Sequence, residues 1–190
     1  CQTLLSVGAG RNGRAVALHA LGFALKILSV ARSPHADFEQ EMRAVFPQFS
    51  PFALPKLVTI ESIDCAAAGI DLAFCALPHG TTQTVIQDLM AKAPKTKVVD
   101  LSADFRLHDN AAYARWYGHD HQAPELQKGA VYGLAEIYRS EIEKARLVAN
   151  PGCYTTCAQL PLTPLLKAKA IDPGEIVIDA KSGMNGAGRA

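Results

Sequence analysis

This chain has no surplus of charge of either sign: 19 Lys and Arg stand against 18 Asp and Glu, a formal charge of +1. Without a basic excess there is no electrostatic case for nucleic acid or an anionic membrane as partner. No apolar run is long enough to span a bilayer. The first residues read as a strand and not as a signal peptide. The five cysteines are odd in number and have no paired spacings, which argues against a secreted disulfide framework. A reducing compartment, cytoplasm or organelle interior, fits better. Internal repeats and low-complexity segments are missing too. What is present is a chain of 190 residues, 49% hydrophobic and 19% charged. That is enough for a packed core in one good-sized domain, or in a domain plus part of another.

The order of elements is informative. Thr3–Val7 is a short β-prone run that leads into Gly8-Ala9-Gly10-Arg11-Asn12-Gly13. A helical pattern from Arg14 to about Leu21 follows, then a second strand over Ala24–Val30. Strand, glycine turn, helix and strand form the context in which a G-x-G-x-x-G pattern signals dinucleotide binding. Gly8, Gly10 and Gly13, with Arg11 and Asn12 between them, would let the backbone approach a pyrophosphate seated on the helix N-terminus. The second strand runs out into Arg32-Ser33, where an NAD-specific site would carry a carboxylate. A guanidinium and a hydroxyl suit a 2′-phosphate, so NADP is the expected cofactor. The alternative is a solvated arginine in a loop.

Further strands are expected at Leu57–Ile60, Asp71–Leu77 and Lys97–Leu101, with helices around Asp37–Ala44 and Thr82–Ala93. Asp71–Leu77 is nearly all apolar, as in the middle of a parallel sheet. The alternation predicts a doubly wound α/β sheet, with ligands bound at the carboxyl ends of its strands. Pro78 and the Ser102–Arg106 stretch would lie at that edge. From Tyr113 to His121 the sequence reads as an aromatic loop. Its two histidines flanking Asp120 suit a solvated or substrate-rim loop better than a metal site. A charged helix is expected over about Arg139–Ala145.

Arg146–Ala149 then enters Asn150-Pro151-Gly152-Cys153-Tyr154. The Pro-Gly pair demands a sharp turn. That turn would put Cys153 at or near a helix N-terminus, where orphan N–H groups and the dipole favour a thiolate, the form needed for covalent catalysis. Read alone, Cys153 is equally compatible with catalysis and with packing. The other four cysteines, including Cys157 one helical turn later, read as buried hydrophobes. Pro161 should end or kink the helix. A strand is expected over Gly174–Asp179. The glycine-rich basic end, Lys181–Arg189, reads as a phosphate cradle or a flexible tail.

Several long motifs, in order, carry a resemblance. Leu77-Pro78-His79-Gly80, Asp100–Leu107, Tyr132-Gly133-Leu134-x-Glu136, Asn150-Pro151-Gly152-Cys153-Tyr154 and Lys181-Ser182-Gly183-x-x-Gly186-Ala187-Gly188-Arg189 resemble the N-acetyl-γ-glutamyl-phosphate reductases. These are NADP-dependent enzymes of arginine synthesis, related to the aspartate-semialdehyde dehydrogenases. The first loop departs from that family's usual Gly-Ala-Ser-Gly-Tyr-x-Gly, being one residue shorter and lacking the aromatic.

The resemblance implies a Rossmann-like NADP-binding domain over residues 1–149. Residues 150–190 would begin an α+β substrate and dimerisation domain whose remainder is absent. It implies Cys153 as the nucleophile toward a small acyl-phosphate substrate, and Arg106, Asn150 and Tyr154 as substrate contacts. Pro78, Ser182, Gly183, Gly186, Ala187 and Gly188 would lie on the cofactor. The acid/base histidine is expected beyond Ala190, so the chain alone is expected to be inactive and the full-length protein a homo-oligomer. Two other readings stand beside this one: a non-catalytic NADP-binding or regulatory module of the same ancestry, and an aspartate-semialdehyde dehydrogenase.

Overall fold

The structure is a computed structural model that describes residues 3–7, 26–31, 37–45, 47, 50, 51, 53, 54, 57–65 and 67–183. It divides into two compact units, Cys1–Asn150 and Pro151–Ala190.

The first unit is built on a parallel sheet. In chain order its described elements are β1 (Thr3–Val7), β2 (Lys26–Ala31), α1 (Phe38–Val45), β3 (Leu57–Thr59), a 3₁₀ turn (Ile60–Ser62), β4 (Leu72–Cys75), α2 (Thr82–Lys92), β5 (Lys97–Asp100), α3 (Asn110–Tyr117), α4 (Pro124–Lys128), β6 (Ala130–Tyr132), α5 (Ala135–Lys144) and β7 (Leu147–Ala149). Seven strands lie in the order β3-β2-β1-β4-β5-β7-β6, and every pairing is parallel. The order reverses between β1 and β4: the chain winds outward one way from β1 and the other way from β4. A parallel sheet whose strand order reverses in this way is the doubly wound α/β arrangement.

The apolar runs explain the strands. Leu5, Val7, Ala73, Cys75, Val98 and Leu147 are all buried in the core, together with Ile86 and Leu89 of α2. Strands covered on both faces need side chains of this kind at nearly every position. β6, which joins the edge of the sheet beside β7, was missed by the sequence reading, because three residues ending in Tyr132-Gly133 give too short a run.

Two helices differ from expectation. Asn110–Tyr117 is helical, not a loop. Its signals are in the sequence: the Asp109 carboxylate accepts from the Ala111 N–H at 2.8 Å, and Gly118 closes the other end with φ 78°. The helix expected over Arg139–Ala145 begins earlier, at Ala135, and a non-helical Tyr138 kinks it.

The second unit, taken by itself, holds α6 (Cys153–Lys167) and a 3₁₀ turn (Pro173–Glu175). Pro161 does not end α6, which runs through both Pro161 and Pro164. Each proline removes one N–H from the ladder, but the helix is largely exposed, so water can serve the freed carbonyls. The strand expected over Gly174–Asp179 does not form. Asp172 caps the 3₁₀ turn there through the Gly174 N–H at 2.8 Å, and Val177 and Ile178 are 91% and 59% exposed. β-branched residues favour an extended backbone, but a strand needs a partner, and none of the described residues pairs with this segment.

Candidate active site

The carboxyl ends of β4 and β5 carry two loops that are stitched together. The Ala103 N–H donates to His79 Nδ1 at 2.9 Å. In return the Gly80 N–H donates to Oδ1 and Oδ2 of Asp104, both at 2.9 Å. Gly80 sits at φ +80°, in the left-handed region where a side chain is strained. Because Nδ1 of His79 is an acceptor, the neutral ring carries its proton on Nε2. His79 is exposed, and its Nε2 has no hydrogen-bond partner among the described residues. The stitch therefore presents a fixed N–H donor at the sheet edge, beside the β1–β4 reversal where doubly wound sheets bind ligands. The sequence reading quoted His79 within the Leu77-Pro78-His79-Gly80 motif but gave it no role of its own. Pro78 next to it is exposed, and its carbonyl accepts from the Thr81 hydroxyl at 2.7 Å.

A buried network supports this edge. Asp104 also accepts from the Tyr113 hydroxyl at 3.0 Å, which in turn accepts from Gln83 Nε2 at 2.7 Å. Gln83 Oε1 takes the Gln122 N–H. His121 is not a solvated loop residue, as its sequence context suggested, but buried. Its Nδ1 accepts from the Ala123 N–H at 3.0 Å and its Nε2 donates to the Asp104 carbonyl at 2.9 Å. Burial pushes its pKa down, so it is a neutral structural residue. Its ring packs edge-on to Phe105 and Tyr113. Among the described residues no cluster of three or more His, Cys, Asp or Glu could hold a metal.

Asp100 ends β5 in register with Cys75 and Ala149. Burial between such neighbours raises its pKa to about 6, against the pull of hydrogen bonds from Ser102 and the charge of Arg106. The Ser102 hydroxyl donates to it at 2.7 Å and the Ser102 N–H at 3.0 Å. Arg106 has a task that the sequence did not reveal. Its Nε donates to the Asn150 carbonyl at 2.8 Å and its Nη2 to the Leu101 carbonyl at 3.3 Å. It thus ties the exits of β5 and β7 together, and its Nη1 has no hydrogen-bond partner among the described residues.

In the second unit, Cys153 is the first residue of α6, after Gly152 at the N-cap position. It is exposed and free. Gly152 has no side chain with which to cap the first turn of the helix. The Gly152 carbonyl is well used: it accepts from the Thr156 N–H at 3.0 Å and from the Thr155 and Thr156 hydroxyls at 2.9 Å each. Tyr154 is exposed. Cys65 and Cys75 are buried as expected, but Cys157 is exposed, not packed; it lies on an open helix face that the sequence alone could not distinguish from a covered one. Ser182 and Gly183 are exposed. Gly8, Gly10, Arg11, Asn12, Gly13, Arg32, Ser33, Gly186, Ala187 and Gly188 lie outside the described residues, as does Cys1.

A parallel doubly wound sheet binds its ligands at the carboxyl ends of its strands, and the dinucleotide-binding domains are one class built in this way. The comparisons narrow this. The family model described as "Semialdehyde dehydrogenase, NAD binding domain" matches residues 17–145, and the family's dimerisation-domain model matches 153–190. The chain belongs to the semialdehyde dehydrogenase family. Over 150 residues it is 73% identical to an N-acetyl-gamma-glutamyl-phosphate reductase of Afipia carboxidovorans, covering 79% of this chain and 43% of that one. The enzyme of the same name from Rhodospirillum rubrum is 59% identical over 152 residues, covering 79% and 43%. A probable chloroplastic counterpart in Oryza sativa is 53% identical over 167 residues, covering 88% and 38%. The chain thus spans less than half the length of these relatives. Its fold also matches aspartate semialdehyde dehydrogenase II of Vibrio cholerae, with a TM-score of 0.56 at 15% identity, covering 88% of this chain and 47% of that one.

Proposed function

We propose that the full-length protein reduces N-acetyl-γ-glutamyl phosphate to the semialdehyde with NADPH, by way of a thioester on Cys153. The observation that carries this reading is the placement of Cys153. It is an exposed sulfur on the first residue of a helix, directly after Asn150-Pro151-Gly152, in a chain 73% identical to a reductase of that name.

The thiolate of Cys153 attacks the γ-acyl carbon, and inorganic phosphate leaves with the electron pair of the broken C–O bond. The positive end of the α6 dipole, where Cys153 sits, favours negative charge developing beside the sulfur. NADPH, when bound, supplies the hydride that takes the thioester to the aldehyde level. Collapse of the resulting thiohemiacetal breaks the C–S bond and returns the thiolate. Arg106 holds the exits of β5 and β7 and offers Nη1 to the substrate's phosphate or carboxylate. Asn150 and Tyr154 flank the nucleophile in the chain and line the substrate side.

The β1–β4 reversal fits a dinucleotide, because His79 presents a fixed donor there and Pro78 beside it is exposed. Gly8, Gly10, Arg11, Asn12 and Gly13 would cradle the pyrophosphate. Arg32 and Ser33 would select NADP over NAD. Ser182, Gly183, Gly186, Ala187 and Gly188 would face the nicotinamide end. Residues 150–190 would open the substrate and dimerisation domain, through which the protein forms a homo-oligomer; the dimerisation-domain match supports this. None of the described helices is long and apolar enough to cross a membrane. With relatives named chloroplastic in two plants, the cytoplasm or an organelle interior is the proposed location.

The test is Cys153→Ser in the full-length protein, assayed with NADP, phosphate and N-acetyl-glutamate semialdehyde, and in parallel with aspartate semialdehyde. The reading expects turnover with the acetylated substrate only, reduced by about 10³-fold or more in the variant. Retained activity in the variant removes Cys153 from the scheme. Cofactor binding without turnover in the unaltered protein indicates a non-catalytic module.

A further inference from the structure

Cys153 and Cys157 are both free and both exposed, one turn apart on α6. Residues at this spacing share a helix face, with Cβ atoms about 5–6 Å apart. A disulfide wants its Cβ atoms about 4 Å apart and accepts Cα separations up to about 7 Å. The pair therefore stands about 1–2 Å from bonding distance.

The helix is able to yield that much. Cys153 is its first residue; the Thr155 and Thr156 groups hold the Gly152 carbonyl, but Gly152 itself adds no side-chain cap to the first turn. On the far side stands Pro161, four residues after Cys157. It has no N–H to give the Cys157 carbonyl, and its ring crowds that carbonyl. The Cys157 peptide is thus released from the ladder on its C-terminal side. The turn between the two sulfurs lies between a helix start and a proline-loosened step. Cys65 and Cys75, by contrast, are buried in the first unit, where burial raises their pKa values and keeps them as thiols.

We propose that Cys153 and Cys157 form a reversible oxidation site for hydroperoxides, in which Cys153 takes the oxygen and Cys157 resolves it as an intrahelical disulfide. The idea rests on Cys153 being the reactive thiol of the preceding subsection. In the first step the Cys153 thiolate attacks the distal oxygen of the hydroperoxide. The O–O bond breaks, the sulfur is oxidised by two electrons to a sulfenic acid, and the peroxide is reduced to water or an alcohol. In the second step the Cys157 sulfur attacks that of Cys153. The S–O bond breaks, and the departing hydroxide takes the Cys157 proton as water. An external dithiol reverses the bond by two exchange steps and is itself oxidised. A bond that deforms the first turn is strained, and strained disulfides are the readily reduced ones. The pair would spare the nucleophile from the irreversible sulfinic and sulfonic stages.

The sequence supplies a clean readout, because trypsin releases both cysteines in one peptide, Leu147–Lys167. The reduced full-length protein is treated with equimolar hydrogen peroxide, trapped with N-ethylmaleimide, digested and weighed. The unaltered protein should yield this peptide two hydrogens lighter and unlabelled, with both labels restored after dithiothreitol. Cys157→Ser should give no such species and should carry about five-fold more sulfinic acid at Cys153 after the same exposure. Equal sulfinic acid in the two proteins overturns the proposal while leaving Cys153 a reactive thiol, and so does a disulfide from Cys153 to another peptide. If both cysteines remain fully labelled after peroxide, the proposal falls, and the reactivity assigned to Cys153 is called into question with it.

Discussion

The Gly80 amide donates to both carboxylate oxygens of Asp104 at 2.9 Å, across 24 residues of sequence. Beside it the Ala103 amide donates back to His79. These two crossed contacts make one rigid edge out of two loops that could otherwise move independently. The left-handed backbone at Gly80 is what allows its N–H to turn toward Asp104.

Gly80→Ala should therefore destabilise the protein by about 1–2 kcal/mol, the cost of holding an alanine in the left-handed region. The added Cβ would come within 3.4 Å of the His119 Nε2. That contact adds little, because His119 is exposed and can swing away. Urea denaturation of the full-length protein checks this; an unchanged midpoint would show that the loop does not require that backbone conformation.

His79→Ala removes the outward Nε2–H together with the acceptor of the buried Ala103 N–H. On the reading that this donor meets the cofactor, KM for NADPH should rise about ten-fold, the worth of one hydrogen bond. His79→Gln, whose amide can reach the same place, should recover part of the loss. An unchanged KM in both variants would assign His79 to loop structure alone. So would an equal fall in unfolding midpoint that accounts for the loss of activity.

Tyr113 is buried with its hydroxyl placed between Gln83 and Asp104. Tyr113→Phe keeps the ring stacked on Tyr117 but leaves the Gln83 amide without its acceptor and takes one donor from Asp104. The expected cost is about 1–3 kcal/mol, typical of a buried polar group left unpaired. A thermal melt measures it. If the loss comes from the orphaned amide, Gln83→Leu in the same chain should cost less than it does alone; strict additivity would contradict the coupling.

The sheet was legible because its signal is local and repeated. Leu72–Cys75 is an apolar run of strand length, Leu4–Val7 is one broken only by Ser6, and Val98-Val99 is the apolar centre of β5; such segments suit strands covered on both faces. The start of α6 was legible for a similar reason: Pro151-Gly152 forces a turn immediately before a helix-compatible run. What was missed depends on partners far away in the chain. Asp109 and Gly118 mark both ends of α3, but a stretch crowded with aromatics and histidines hid them. His121 looks like a surface residue until Asp104 and Ala123 close around it. Val177 and Ile178 have strand chemistry, but among the described residues no strand pairs with them. Arg106 was expected to serve a ligand; that it first holds two backbone carbonyls depends on β5 and β7 being neighbours, which local sequence does not encode.

Asp100 makes a pH-dependent prediction with a definite sign. Its folded pKa is raised from 3.8 to about 6, chiefly by burial. Between about pH 4 and 6 the folded chain holds a proton that the unfolded chain has released. By linkage, this group's contribution to stability falls as pH rises through that window, and it is least favourable above it. Asp100→Asn removes the titration while keeping an acceptor for the Ser102 N–H. The stability of the variant relative to the unaltered protein should therefore climb from pH 4 to pH 7 by about 3 kcal/mol, the equivalent of about two pKa units. Denaturant titrations of both proteins at several pH values give this difference directly, and carboxylates that do not interact with Asp100 cancel in it. A difference that stays flat, or falls with rising pH, would mean that Asp100 ionises as an ordinary carboxylate and that Ser102 and Arg106 outweigh its burial.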